Sequence, residues 1–251
     1  MERAAPGRER TGIIRTDPRA ALDPGQFSKY FGHGGPRSPQ AATRRNTPSM
    51  SAIAVHPEKN ILRLQLAQNI VLKGMTAEQS AQLEAHLSVV DCQKGDFLLS
   101  QGVHAMEQYF VLDGVLKRVV ANSEGKTMIL RFAAERDMET SYAAWRLGTP
   151  APYSIVCVTK ARVAKLAMPE WVEFLERHLA LKQSFEYQVM ELMSEIMAHT
   201  ITLHLLDALG RVKRFQRKHS ELFERIPKKE LAAYLNLSAE TLSRLKQRGK
   251  I

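Results

Sequence analysis

The chain is predicted to be α+β: a β-barrel of jelly-roll type, then one long helix, then a C-terminal helix-turn-helix without a wing. Three observations predict it. Short alternating runs recur at near-even spacing between residues 88 and 166, the habit of sandwiches and barrels. Apolar residues from Phe185 onward step by four and three, the period of a packed helix. Near the carboxyl end, I-P-K-K-E-L-A-A-Y-L-N-L-S-A-E-T-L-S-R-L-K-Q-R-G-K reads as two short helices about a tight turn.

In chain order, residues 1–58 are expected to be a disordered arm. Stretches such as M-E-R-A-A-P-G-R-E-R and H-G-G-P-R-S-P-Q are rich in Pro, Gly and Arg and have no hydrophobic period. Met50 reads as an alternative start. Residues 59–177 form the barrel domain, opening on a helical pattern from Asn60 to Leu87 that is best defined over Met75–Leu87.

The period then changes. Strands are expected at Ser88–Cys92, Asp96–Ser100, Gln108–Leu112, Val115–Ala121, Thr127–Phe132, Ser154–Val158 and Arg162–Leu166. Lys94-Gly95-Asp96, Gln101-Gly102, Asp113-Gly114 and Glu124-Gly125 separate them. Asp-Gly between alternating apolar residues is a strong hairpin signal, because the tight turn needs positive φ.

Pro169–Arg177 returns to helix, and residues 178–209 follow as a helix about 45 Å long. Phe185, Val189, Leu192, Ile196, Leu203 and Leu206 make a near-heptad seam interrupted only by His199. They are expected to form a homodimer interface, since so long an apolar helix would leave a large patch exposed in a monomer. Met190, Met193, Met197, Ile201 and Leu205 form a second stripe beside the first. His199 reads as a packed or register-setting residue rather than a metal ligand.

Residues 210–251 hold the helix pair. Pro227 suits a helix start, and Leu231, Ala232 and Leu235 give a short apolar face. Asn236-Leu237 makes the break, and Ser238 can cap the second helix. There Leu242 and Leu245 face inward, leaving Glu240, Thr241, Ser243, Arg244, Gln247 and Arg248 outward. Such a helix can enter a DNA major groove: Arg pairs with guanine O6 and N7, Glu accepts from cytosine N4, and Ser bonds to either kind of edge. Two ordinary surface helices would show the same spacing.

Charge distribution favours a nucleic-acid partner for that end. Residues 209–251 carry 12 Lys/Arg against 4 Asp/Glu, residues 1–50 carry 9 against 4, and the middle holds 15 against 18. Cys92 and Cys157 match no metal spacing and read as reduced, semi-buried thiols of a cytoplasmic protein, with redox sensing as the alternative. No apolar run reaches the length of a membrane span, and the amino terminus has no signal-peptide pattern.

The order of barrel, long helix and helix pair, with K-G-D-F-L-L-S-Q-G and F-V-L-D-G-V-L-K-R-V, resembles the cAMP receptor protein/fumarate–nitrate regulator (CRP/FNR) family over residues 60–251. The resemblance implies a cyclic-nucleotide-binding-type barrel that senses an effector, a dimerising helix, and helices that read a palindromic operator. Gly95, Gly102 and Gly114 match the barrel's turn glycines. Asp207 with Gly210-Arg211-Val212 resembles the hinge. Glu240, Ser243 and Arg244 fit the E-x-x-S-R form of the recognition helix, which implies TTGAT-like half-sites with Arg244 on the guanine. An activator of this kind would also meet RNA polymerase.

Departures from the family bear on the ligand. Its cyclic-nucleotide binders hold the phosphate with Gly-Glu and a later Arg-Ser/Thr-Ala segment. Here Thr140-Ser141 and Tyr153-Ser154-Ile155 stand in those places, Arg146 is the nearby cation, and Ile196 and Met197 take the adenine positions. Weak or absent cAMP binding is expected. The cysteine cluster of the iron–sulfur branch is missing, and no metal or cofactor is predicted. What remains is an effector pocket edged by Met138, Ser141, Tyr142, Trp145, Arg146, Tyr153, Ser154 and Met197, which either takes a small apolar effector or is filled by its own side chains. The ending resembles a divergent wingless branch, so affinity should lean on Lys228, Lys229, Lys246, Arg248 and the stretch Arg211–Lys218.

The function expected is a homodimeric, sequence-specific transcription regulator without catalysis. The alternative is a small-molecule-binding module that acts through protein contacts. An enzyme of cupin type would need His and carboxylate ligands inside the barrel, and the expected strands carry no histidine.

Overall fold

The computed structural model describes residues 50–248. β1 (Met50–Ala52) leads through a 3-10 turn into α1 (Lys59–Ala67) and α2 (Ala77–Glu84). The strands follow as β2 (Ser88–Cys92), β3 (Phe97–Leu99), β4 (Glu107–Asp113), β5 (Leu116–Ala121), β6 (Thr127–Ala133) and β7 (Met138–Thr140). A short α3 (Tyr142–Arg146) precedes β8 (Ser154–Cys157) and β9 (Ala161–Ala167). Then come α4 (Met168–Arg177), α5 (Leu179–Leu205), α6 (Ala208–Lys218), α7 (Ser220–Phe223), α8 (Lys228–Tyr234) and α9 (Ala239–Gln247).

Each of the seven expected runs is a strand, with boundaries moved by a residue or two. Two further strands, β1 and β7, have three residues each. The strands lie in two antiparallel sheets, β1-β2-β9-β4-β7 and β3-β8-β5-β6. The expected jelly-roll barrel is therefore corrected to two open sheets of jelly-roll type, which no strand ladder joins among the described residues. The arm is corrected as well. Met50–Ala52 pairs with Ser88–Val90 and Ile53 is fully buried, so residues 50–58 belong to the folded unit. The earlier part of the arm, residues 1–49, and the expected winglessness after Arg248 lie outside the described residues.

Turn chemistry agrees with the strand pattern. Gly114 has φ +89°, and a Cβ there would stand 2.3 Å from the Lys160 carbonyl oxygen, so the β4–β5 turn admits no side chain. At α2, Thr76 and Gln79 form a reciprocal capping box.

The core lies between the sheets and under α4 and α5. Trp171 of α4 meets Phe110 edge-on with ring centroids 5.4 Å apart, and meets Phe185 of α5 at 5.3 Å. Leu181, Phe185, Val189 and Leu192 are all buried by their own chain. Full burial of each large apolar side chain contributes about 1.5–3 kcal/mol, and the packing of Phe185 on Trp171 selects this stripe over the second one. Phe185, Val189 and Leu192 were expected at a dimer seam, and that expectation is corrected. Ile196 and Leu203 are half-buried, and Leu206 lies beyond the helix end. The second stripe is the exposed one, with Met190, Met193, Met197, Ile201 and Leu205 all facing solvent.

α5 stops earlier than expected, at Leu205. Asp207 then caps α6, its Oδ1 accepting from the Gly210 amide at 2.8 Å. A second apolar core joins the C-terminal helices to the outer side of β5 and β6. Phe132 packs on Tyr234 at 5.1 Å and on Phe215 at 6.4 Å, with Leu231 and Ala232 of α8 buried beside them. Two ion pairs edge this contact. Lys117 Nζ lies 2.7 Å from Glu230 Oε2, and Arg225 grips both oxygens of Glu135 at 2.7 and 2.5 Å.

Candidate nucleic-acid interface

The helix pair forms for local reasons visible in the chain. Pro227 occupies the N-cap of α8, one residue earlier than expected. Asn236 takes φ +52°, a conformation that asparagine tolerates better than most residues, and this turns the chain between the helices. Ser238 then caps α9, its Oγ accepting from the Thr241 amide at 3.0 Å.

Leu242 is buried and Leu245 half-buried, so α9 turns its opposite side outward. Glu240, Arg244, Gln247 and Arg248 are exposed, while Thr241 and Ser243 are half-buried. Arg244 is 62% exposed at its side chain and forms an ion pair with Glu240 one turn earlier, so to reach a base it must give up a weak surface pair. Lys228, Ser243 and Lys246 line one shallow groove of about 90 Å³ between α8 and α9, with Lys229 exposed beside it. The structure thus gathers these expected residues on the pair's accessible side.

The expected effector pocket has a different fate. Met138, Ser141, Tyr142, Tyr153 and Ser154 are buried together, and Trp145 packs half-buried against the core. Arg146 is exposed, and Met197 is 64% exposed on α5, so neither faces an enclosed space. The interior is filled by Arg118, which sequence reasoning missed. Its Nη2 and Nε donate to Glu139 Oε2 at 2.6 and 3.0 Å, and its guanidinium carbon lies 4.1 Å from the centre of the Tyr153 ring. Arg131 holds the other Glu139 oxygen at 2.8 Å. The Tyr153 hydroxyl donates to the Thr140 carbonyl at 2.6 Å. Burial raises the Tyr153 pKa. At Tyr142, burial and a 2.9 Å hydrogen bond to Glu186 raise the pKa to about 12. Within this packing the Nη1 of Arg118 and the Oγ of Ser141 are buried without a hydrogen-bond partner among the described residues.

A larger cleft, of about 460 Å³, is lined in part by the stretch Arg211–Lys218 that was expected to meet phosphates, but no enclosed space was expected there. It opens between the β6–β7 turn, the middle of α5 and helices α6 to α8. Arg211, Arg214 and Lys218 line it from one face of α6. Their spacing of three and four with Phe215 was legible, but nothing in the sequence said what lay opposite. Among the described residues no group of three or more His, Cys, Asp or Glu side chains could hold a metal, and no helix is long and apolar enough to cross a membrane.

Residues 89–178 match the family model of the cyclic nucleotide-binding domain. In structure the chain is similar to the c-di-GMP responsive global regulator CLP of Xanthomonas campestris, at 15% identity and TM-score 0.58, covering 69% of this chain and 93% of that one. It is similar also to FixK2 of Bradyrhizobium japonicum, at 17% identity and TM-score 0.55, covering 64% and 85%. No curated protein matches the chain in sequence. At these identities the fold is what is shared: cyclic-nucleotide-binding-type sheets followed by C-terminal helices.

Proposed function

We propose that this chain is a homodimeric, sequence-specific DNA-binding transcription regulator of the CRP/FNR type, working in the cytoplasm and without catalysis. The observation that carries the reading is the outward face of α9, where Glu240, Ser243 and Arg244 stand on a capped helix whose Leu242 and Leu245 turn inward. The matched domain and the shared fold support it.

In this reading Arg244 makes a bidentate pair with a guanine of a TTGAT-like half-site, while Lys228, Lys229, Lys246 and Arg248 neutralise phosphates. Two copies joined through the exposed stripe of α5 present their α9 helices to successive major grooves, about 34 Å apart. Such a dimer, acting as an activator, would contact RNA polymerase. We read cAMP as not its effector, because Thr140-Ser141 and Tyr153-Ser154-Ile155 stand where the family's cyclic-nucleotide binders hold the phosphate, and Arg118, Glu139 and Tyr153 pair with one another in the buried interior.

Selection of bound duplexes from a random pool, using the full chain, tests the proposal. Enrichment of palindromic sites whose half-sites contain a common guanine supports it. A pool that stays random with a monomeric protein refutes it. The second reading, a module that acts through protein contacts, draws on the packing of α8 against β5 and β6 and expects that random pool.

A further inference from the structure

We propose that the cleft between the β6–β7 turn and the C-terminal helices is a binding site for a small phosphate-bearing molecule with two or more negative charges. Six cationic side chains line it against four carboxylates. Three of the six are committed to acids: Arg131 to Glu139 and Asp137, Lys218 to Glu195, and Arg225 to Glu135. The other three are not. Arg211 donates only to the carbonyls of Leu206, Leu235 and Asn236, and Arg136 donates to the Gln68 side chain. Arg214 has no hydrogen-bond or ion-pair partner among the described residues.

Arg136 and Arg214, with the one remaining Nη2 of Arg211, place guanidinium donors around one concave space, and such donors match phosphate oxygens. The turn itself is unusual. Arg136 holds φ +73°, a left-handed conformation uncommon outside glycine and asparagine, and it is fixed there by hydrogen bonds of its amide to Val111 and its carbonyl to the Ile70 amide. Beneath the cations, Phe132 and Phe215 form an apolar floor. A volume of about 460 Å³ falls within the range of small-molecule sites, roughly 300–1,000 Å³. The histidines at its wall register the positive field: burial first, and neighbouring cations after it, hold the pKa values of both His199 and His219 down. A DNA duplex is too wide to enter such a space, which favours a small molecule over a backbone phosphate.

A ligand here would touch Arg136 from the β6–β7 turn and Arg211 and Arg214 from α6. It would therefore bridge the sensor sheets and the helices that carry α9. Binding is independent of whether α9 reads DNA, so a failure here leaves the DNA reading standing.

The test is calorimetric titration of the full chain with sodium pyrophosphate at fixed ionic strength, using sodium chloride as the control titrant. One saturable equivalent per chain is expected. Arg214→Gln, which removes no hydrogen bond or ion pair among the described residues, should weaken it about tenfold or more, while Lys213→Gln and Arg217→Gln, exposed on α6 outside the cleft, should leave it unchanged. Circular dichroism of each variant verifies folding. Absence of saturable heat, or equal losses in all three variants, overturns the proposal. So does competition by random-sequence duplex with Arg214→Gln weakening both ligands alike, which would make the cleft a DNA contact.

Discussion

His199 of α5 and Tyr234 of α8 lie face to face, their ring centroids 3.7 Å apart and their planes 2° from parallel. The same imidazole donates through Nε2 to the Tyr234 carbonyl at 3.1 Å. One residue thus ties the long helix to the helix pair, at the position where the apolar seam of α5 is interrupted. The contact is polar, half-buried and titratable, so it links the domain arrangement to pH.

The first prediction concerns that link. Burial is the main reason that His199 is held down to about 4 from an ordinary 6.5, with His219, Arg214 and Lys218 adding to the effect and the Tyr234 carbonyl opposing it. His219 is shifted the same way. The folded chain therefore takes up these protons less readily than the unfolded chain. Their contribution is intact above pH 6.5 and is lost as pH falls towards 4. The melting temperature should drop by several degrees over that window. His199→Gln should flatten the drop relative to wild type, and parallel curves for the two proteins would contradict the assignment.

The second prediction concerns the buried pair inside the sandwich. Arg118 and Glu139 have side-chain exposures of 0% and 1%. Glu139→Gln leaves the Arg118 charge buried without its counter-ion and should cost about 3–5 kcal/mol in urea denaturation. Replacing both, as Arg118→Met with Glu139→Leu, should cost less than Glu139→Gln, because it removes the buried Arg118 charge as well, but it still costs stability because Arg131 keeps only Asp137.

Occupation of that space by Arg118 and Tyr153 has a direct consequence for ligand binding. Titration of the wild-type chain with cAMP should give no saturable heat at micromolar concentrations. Micromolar binding would require the Glu139 ion pairs and the Tyr153–Thr140 hydrogen bond to open, and would overturn the filled-pocket reading.

Much of this architecture was legible because alternation and turn glycines are local signals. Gly114 marks the β4–β5 hairpin by steric necessity, and Ser238 marks the start of α9 by its hydroxyl. β1 and β7 escaped because their three residues lack the flanking turn glycines that marked the equally short β3 between Gly95 and Gly102. The face of α5 that meets the sheets was not legible, since both of its stripes are apolar and only tertiary packing on Trp171 chooses between them. Arg118 sits in L-K-R-V-V, where alternation gives no reason to bury a cation. Its partner Glu139 comes from another strand, 21 residues on. Cys92 and Cys157 likewise meet only in the fold, where both are buried free thiols and the neighbouring Cys92 sulfur, with burial, pushes the Cys157 thiol above the ordinary thiol pKa.

The choice of stripe gives the next prediction. Met190, Met193, Met197, Ile201 and Leu205 form a continuous exposed apolar line on α5, and water-exposed apolar area of this kind is removed by self-association. Met197→Glu should shift the protein from dimer to monomer in sedimentation velocity with little change in the melting of each chain. Phe185→Ala should act in the opposite way. It opens a cavity under Trp171, costs about 3–5 kcal/mol of chain stability, and leaves the association surface in place. A monomeric wild-type protein, or a Met197→Glu dimer, would remove the stripe from the interface.

The last prediction separates base reading from charge. Arg244 stands exposed on α9, paired only with Glu240 of its own helix, and a bidentate contact from it to guanine discriminates by roughly 1–3 kcal/mol. Arg244→Ala should therefore weaken binding to the selected site by that amount, relax preference at one base pair, and leave binding to random duplex nearly unchanged. Lys228, at the first turn of α8, offers a point charge without base information. Lys228→Ala should weaken every duplex alike and lower the slope of log affinity against log salt by about one. Glu240→Ala helps tell these roles apart. It frees Arg244 from its intrahelical partner, so it should raise affinity for random duplex through added positive charge while reducing selectivity at any cytosine that Glu240 reads. Equal losses on selected and random DNA for Arg244→Ala would mean that α9 contributes charge alone and that the sequence is read elsewhere or not at all.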